Sequence, residues 1–187
     1  MQYLTKNPQI YIICGKARQG KDTIANQIKD IYTNEGKNAI IVAYADDIKR
    51  YAKAIVNWDG REESKPREFL QLLGTDIVRN NIDDLFFVNR LMDDIRVYSY
   101  FFDAIIISDA RYPVEIDVPK AVFSKSKAIH IIRPNFDNGL KANEQKHLSE
   151  VSLDNFDRYD YTIINDGTIE ELKVKTIKIV EEIKNER

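Results

Sequence analysis

One stretch constrains this chain more than any other: Ile10-Tyr-Ile-Ile-Cys-Gly-Lys-Ala-Arg-Gln-Gly-Lys-Asp-Thr-Ile-Ala25. Apolar β-formers run up to Cys14, and Gly15, Gly20 and Lys21 follow at the offsets of a phosphate-binding loop. Behind them Ile24, Ala25, Ile28 and Ile31 recur at helical spacing. The order is strand, glycine-rich loop, helix. Glycines let backbone N–H groups turn inward and approach a phosphate closely. The helix N-terminus adds partial positive charge, and Lys21 adds a full one. The loop residues Gly15, Lys16, Ala17, Gln19, Gly20, Lys21, Asp22 and Thr23 are therefore expected to cradle a nucleotide's phosphates.

The usual pattern sets Ser or Thr directly after the lysine, as a magnesium ligand. Here Asp22 intervenes and Thr23 follows, so both are metal candidates. Nucleoside monophosphate kinases often carry one residue between lysine and threonine. The departure points toward small-molecule kinases and away from GTPases and motors.

The 187 residues suffice for one domain with a sizeable core, and residues 1–187 are read as a single kinase domain. Net charge is −2, and basic and aromatic residues are scattered, so neither nucleic acid nor a membrane is an expected partner. Cys14 is the single cysteine, which excludes an internal disulfide. One Cys and two His cannot assemble a four-ligand zinc site. No signal pattern and no membrane-length apolar run is present, so a cytoplasmic enzyme is expected.

Residues 1–8 read as a polar lead-in, and the first helix should stop at Gly36. Apolar runs at 38–44, 104–108, 128–132 and 161–164 predict four further strands. Between them 66–100 reads as helical, with Pro66 at a first helical position. Residues 112–123 read as a turn and a short helix, and 134–158 as an insertion with one short helix near 147–156. Thr168 and Glu171 are spaced as a capping box for a last helix, with Ile169, Leu172, Thr176, Val180 and Ile183 on one face. Strands alternating with helices predict an α/β fold, a three-layer arrangement of a five-stranded parallel sheet with helices on both faces. Ligands of such sheets sit at the C-terminal strand ends, where the loop, Asp46, Asp109, Arg133 and Asn165 all fall.

Asp109 ends a buried run, where an acid can hold magnesium directly or through water, or can cap a helix. Arg111 can bind a phosphate bidentately or make a surface ion pair. Asp46 is a candidate to face the acceptor or assist the metal, while Asp47 and Lys49 suit solvent or a cap. Arg67 and Arg79, in the helical segment after the second strand (about 45–102), are candidates to hold an anionic acceptor or to lie on a polar face. Arg133, Lys141, Lys146 and His147 suit a lid over about 134–158. His130 alternates within a strand and reads as structural, and no nucleophile turn accompanies His147 and Ser149.

Gly15–Thr23, Tyr44-Ala-Asp-Asp-Ile-Lys49, Leu70-Gln-Leu-Leu-Gly-Thr75, Ser108-Asp-Ala-Arg-Tyr-Pro113, Ile132-Arg-Pro134, His147-Leu-Ser-Glu150 and Asn165-Asp-Gly-Thr168 occur in this order. Together they resemble the deoxynucleoside monophosphate kinases of bacteriophages and their bacterial relatives, over roughly residues 10–175. The resemblance implies transfer of the ATP γ-phosphate to a deoxynucleoside 5′-monophosphate, with ATP and Mg2+ required. It matches Lys21, Asp109 and Arg111 to catalytic positions, and Arg133 to the lid. His147 and Glu150 fall in the same lid region and, with Asp46, Lys49, Arg67, Arg79 and Arg111, make up the expected substrate-binding set. It sets Asn165 and Gly167 beside the ATP base. The chain departs from the family at Asp47, where proline is usual, and at Tyr112, where Phe is usual. Other small phosphorylated acceptors, such as phosphomevalonate or dephospho-coenzyme A, and a nucleotide-binding module without transfer remain alternatives. The sequence leaves a homodimer open.

Overall fold

The computed structural model describes residues 4–186; the first three residues of the expected lead-in, and Arg187, lie outside it. β1 (Gln9–Cys14) runs through the loop into α1 (Lys21–Asn34), then β2 (Ala39–Val42) and α2 (Ala45–Val56). α3 (Arg67–Gln71) passes without a break into a π-helical stretch, Leu72–Arg79, followed by α4 (Phe86–Tyr98). Then come β3 (Ala104–Ala110), α5 (Pro113–Val122), β4 (Ser126–Ile132), α6 (Ala142–Gln145), α7 (Leu148–Val151), β5 (Tyr161–Ile164) and α8 (Ile169–Asn185).

The five strands form one parallel sheet in the order β2-β3-β1-β4-β5. Connections from β1 and β3 leave in opposite directions across the sheet, so a crevice opens at the C-terminal end of β1. Successive side chains of a strand face opposite sides. Ile10, Ile12 and Cys14 therefore join Val88, Leu91, Met92 and Ile95 of α4 and Ile116 of α5 on one face. Tyr11 and Ile13 meet Ile24, Ala25 and Ile28 of α1 and Leu172, Val180 and Ile183 of α8 on the other. Burial of each such isoleucine stabilises the fold by about 1.5–3 kcal/mol. The layered α/β architecture expected from the sequence is the one observed. No helix among the described residues is long and apolar enough to cross a membrane.

Several local expectations need correction. The helical run 66–100 is interrupted at 82–85, where Asp83 Oδ1 accepts the Leu85 amide at 2.9 Å. Its middle is π-helical, and a Cβ on Gly74 there would stand 2.8 Å from Ile48 Cδ1, so α2 approaches unusually closely. Residues 113–122 form a ten-residue helix rather than a short one, because Pro113 starts it and Glu115 returns to the Tyr112 amide. The 134–158 region has two one-turn helices, Ala142–Gln145 and Leu148–Val151, instead of the one short helix expected near 147–156. The α8 capping box is present, but Ile169 is 68% exposed, and the buried face of the helix begins at Leu172.

Candidate active site

The register of β1 with β3 shifts between Ile12 and Cys14, and the chain peels off there into the loop. Gly15 and Gly20 take φ of 150° and 107°. A Cβ on Gly15 would meet the Ile131 carbonyl at 2.7 Å, and one on Gly20 would meet Asn165 Nδ2 at 2.9 Å. No side chain caps the first turn of α1, so its amides are available to an anion. Lys21 is 7% exposed, and its Nζ donates to the carbonyls of Gly15 and Lys16 at 2.8 Å each. Burial, reinforced by Arg111 nearby, lowers its pKa to about 8.

The loop forms one wall of a cleft of about 620 Å³, within the range of small-molecule sites. α2, α3, the π-helical stretch, the β3–α5 junction and α7 complete it. Lys21, Asp22, Thr23, Lys49, Arg67, Arg79, Asp109, Arg111, His147 and Glu150 all line this cleft, so the structure brings most of the expected set together.

Three contacts bind the 134–158 segment to the loop. Arg18 Nη1 donates to the Asn138 carbonyl at 2.6 Å, the Ala17 amide donates to Glu150 Oε2 at 2.9 Å, and Lys16 pairs with Asp154 at 2.7 Å. Glu150, 8% exposed, also pairs with Arg111 through Oε1. A carboxylate thus accepts from a loop amide and an arginine, the kind of donors a phosphate would use. His147 caps α7, with Nδ1 2.9 Å from Ser149 Oγ.

The remaining expected residues sit differently. Asp109 accepts the Tyr44 amide at 2.8 Å and the Ala45 amide at 3.0 Å, one on each oxygen, and so caps the start of α2. Burial raises its pKa, and the two amides oppose that. Arg133 is exposed, does not line the cleft, and lies 3.9 Å above the Phe136 ring. Asn165 also stands outside the lining; its Nδ2 donates to the Gln19 carbonyl at 2.9 Å and props the loop. Gly167 packs against Glu171, Gln19 accepts the Lys16 amide at 3.2 Å, and Asp46, itself outside the cleft lining, pairs at 3.0 Å with Lys49, which lines it. Arg67 pairs with Glu62 at the rim. His130 stacks on Tyr159 at 4.2 Å, consistent with a structural part.

Sequence reasoning missed Glu115, Tyr112 and Thr75. Glu115 is 3% exposed; it pairs with Arg79 at 2.8 Å and accepts the amides of Arg111 and Tyr112 at 2.7 and 3.1 Å. Burial raises its pKa to about 7. The spacing Tyr112-Pro-Val-Glu115, with Pro at a first helical position and Glu two residues on, was the available signal.

The sheet order, the glycine loop after β1 and the following helix define a P-loop kinase fold. Solved structures agree on the fold. A Mycobacterium tuberculosis APS kinase, solved in complex with AMPPNP and APS, matches with a TM-score of 0.53 at 12% identity, covering 93% of this chain and 98% of that one. Shikimate kinase from Aquifex aeolicus gives 0.52 at 10% identity, covering 92% and 96%. Within that fold the chain belongs to the deoxynucleotide monophosphate kinase family, whose model matches residues 31–176. The deoxynucleotide monophosphate kinase of Enterobacteria phage T4 is 31% identical over 155 residues, 80% of this chain and 58% of its own length. That of Escherichia phage RB69 is 31% identical over 115 residues, 61% of this chain and 44% of its own. The chain thus spans about half the length of these two phage relatives. A relative from Acanthamoeba polyphaga mimivirus, 26% identical, is covered over 94% of its length.

Proposed function

We propose that this chain transfers the γ-phosphate of ATP to a deoxynucleoside 5′-monophosphate. The observation that carries the reading is a single cleft whose two walls are cationic in different ways. One wall is the glycine loop with Lys21; the other carries Arg79, and Arg111 stands at the junction between them. Two phosphates arriving from opposite ends would meet at Arg111. Family membership supplies the acceptor class.

In this reading the loop amides and Lys21 hold the ATP phosphates, and the start of α1 adds partial positive charge. Arg111 orients the transferring and accepting groups through its planar fork. Arg67, Arg79, Lys49 and Tyr112 hold the acceptor, with Asp46 at its edge, in the helical region of about 45–102. Residues 134–158 form a lid of the single domain and exclude water from the transfer. Arg133 and Lys146 act from that lid only after it moves, and Asn165 and Gly167 flank the ATP base. Phosphoryl transfer leaves little covalent work for the protein, so positioning and charge carry the rate.

The residues fit a magnesium ion. No cluster of three acidic, His or Cys side chains occurs among the described residues. Kinase magnesium, however, takes most of its ligands from phosphates and water. Thr23 and Asp22 at the start of α1 would hold it, with Asp109 acting through water. When bound, magnesium neutralises charge on the phosphates.

Release of ADP, measured with each of the four common deoxynucleoside monophosphates, phosphomevalonate and dephospho-coenzyme A, tests this reading. Turnover with one or more deoxynucleotides, and little with the other two, is expected. Turnover confined to the other acceptors, or none at all, would overturn it.

A further inference from the structure

Glu115 stands at the third position of α5, yet it does more than a helix cap requires. A cap needs one carboxylate oxygen for the backbone. Oε2 fills that part by accepting the Arg111 and Tyr112 amides. Oε1 is turned the other way and accepts Arg79 Nη2 at 2.8 Å, across from the π-helical stretch. The Arg79 guanidinium in turn lies 3.8 Å above the Tyr112 ring, whose hydroxyl is 3.0 Å from Thr75 Oγ1. The Glu115 carbonyl accepts the Tyr44 hydroxyl at 2.8 Å. Arg79, Tyr112, Thr75 and Glu115 all line the cleft.

An Arg–Glu pair whose side chains are 11% and 4% exposed is a poor way to gain stability alone. Aliphatic side chains of the same volume often serve as well or better. Arg79 Nη1 donates to the Asp84 carbonyl at 2.9 Å, which anchors one edge of the guanidinium, while Nε is buried and finds no partner among the described residues, so donor capacity remains beyond the ion pair and this backbone contact. Both facts fit a group held in place for a ligand. We propose that Glu115 is the positioning residue of the acceptor wall: one buried carboxylate fixes the Arg79 guanidinium against Tyr112 and, through two amides, the backbone that carries Arg111, so that a bound monophosphate points at the phosphate loop. The inference rests on the function proposed above.

The groups facing Glu115 decide its ionisation. Arg79 favours the carboxylate; Asp109 from β3 disfavours it; Tyr44, ahead of α2, and Cys14 from β1 stand near and stay neutral. With its pKa raised to about 7, Glu115 is charged at pH 8 and gains a proton as the pH falls toward 6. The proton removes the charge that pairs with Arg79 and leaves the guanidinium held by the Asp84 carbonyl.

The test is steady-state kinetics of wild type and Glu115→Gln between pH 6 and 8.5, each substrate varied in turn, beside melting curves. At pH 8, Glu115→Gln should raise the monophosphate KM about tenfold, in line with loss of one charged hydrogen bond. The ATP KM should stay unchanged. The wild-type monophosphate KM should rise toward pH 6 more steeply than that of the variant. The nucleotide's own phosphate titrates near pH 6 and affects both proteins alike. Parallel pH profiles, or equal changes in both KM values, would overturn the inference and leave Glu115 a structural cap. Should Glu115→Gln fail to fold, Arg79→Lys applies: it keeps the charge but loses the fork, and an unchanged monophosphate KM there also overturns the inference. A wild-type enzyme with no deoxynucleotide turnover would instead overturn the functional reading, and the inference with it.

Discussion

The two walls of the cleft hold their charges by different means. On the loop wall the backbone forms the site. Gly15 and Gly20 turn amides inward, and Lys21 rests on the loop's own carbonyls. On the opposite wall side chains form it, as Arg79 and Thr75 of the π-helical stretch brace Tyr112 and Glu115 at the start of α5. A backbone cradle suits a phosphate chain that is the same in every nucleoside triphosphate. A wall of side chains can be retuned residue by residue, which suits an acceptor that differs between enzymes. The comparison also separates the expected faults: damage to the loop should touch transfer itself, whereas damage to the side-chain wall should touch one substrate.

The largest effect is expected at the loop. Lys21→Ala should lower turnover about 10²–10³-fold, the usual loss for one electrostatic contact to the reacting group, with an unchanged circular dichroism spectrum. Near-normal turnover in a folded variant would break the comparison at its stronger end.

Arg111→Lys comes next. Charge survives, but the planar fork does not. The monophosphate KM should rise roughly tenfold or more, with a smaller change for ATP. A rise confined to the ATP KM would move Arg111 wholly to the loop wall.

Glu150→Gln sharpens the comparison from the lid side. The Glu150 carboxylate occupies the Ala17 amide and Arg111, so an incoming phosphate must displace it. A neutral side chain competes less, and ATP should bind about tenfold more tightly by calorimetry, near 1.4 kcal/mol. Weaker binding would show that Glu150 supports the nucleotide rather than competing with it.

Asp109→Asn should cost about 0.5–2 kcal/mol of stability, since one of the two α2 amides then faces an NH2 group. A melting curve beside a magnesium titration reads both of its proposed parts. A shifted magnesium dependence with unchanged melting would favour the metal over the cap.

The smallest effect concerns protons. Lys21 has a pKa lowered to about 8 by burial, and a bound triphosphate should raise it again. Binding at pH 8 should therefore take up about half a proton, and binding at pH 6.5 close to none. Calorimetry in buffers of different ionisation enthalpy measures this. Glu115 gives the opposite signature in stability. Its folded pKa lies above the ordinary glutamate range, so the stability it contributes is fullest below about pH 4.3 and is lost as the pH rises through about 7. The melting difference between wild type and Glu115→Gln should narrow across that window.

The same contrast explains what the sequence could reveal. A backbone cradle is written in consecutive residues, so Gly15, Gly20, Lys21 and the strand before them identify the loop wall directly. Strands are legible for the same reason, and β5, Tyr161–Ile164, falls where the apolar run sets it although only Ile163 is buried there. The other wall depends on residues about 35 positions apart that meet only in the fold. Arg79 was visible as an arginine in the right region, but its partner Glu115 looked like an ordinary helix residue. The π-helical turn that aims Arg79 has no simple periodicity to find. Asp109 shows the limit from the other side: its place at the end of β3 is local information, whereas its engagement with the α2 amides is tertiary. Arg133 and Asn165 stand at the expected strand ends, yet one lies over Phe136 and the other props the loop.

That the two walls serve one reaction can be read from phosphorus NMR of a single mixture. With ATP, magnesium and a deoxynucleoside monophosphate present, ADP and a deoxynucleoside diphosphate should appear together in equal amounts. Both should be abolished by Lys21→Ala, and both should slow, at low monophosphate, in Glu115→Gln. ADP appearing without the diphosphate would mean that the cleft hydrolyses ATP and that the second wall holds no acceptor, contradicting the account.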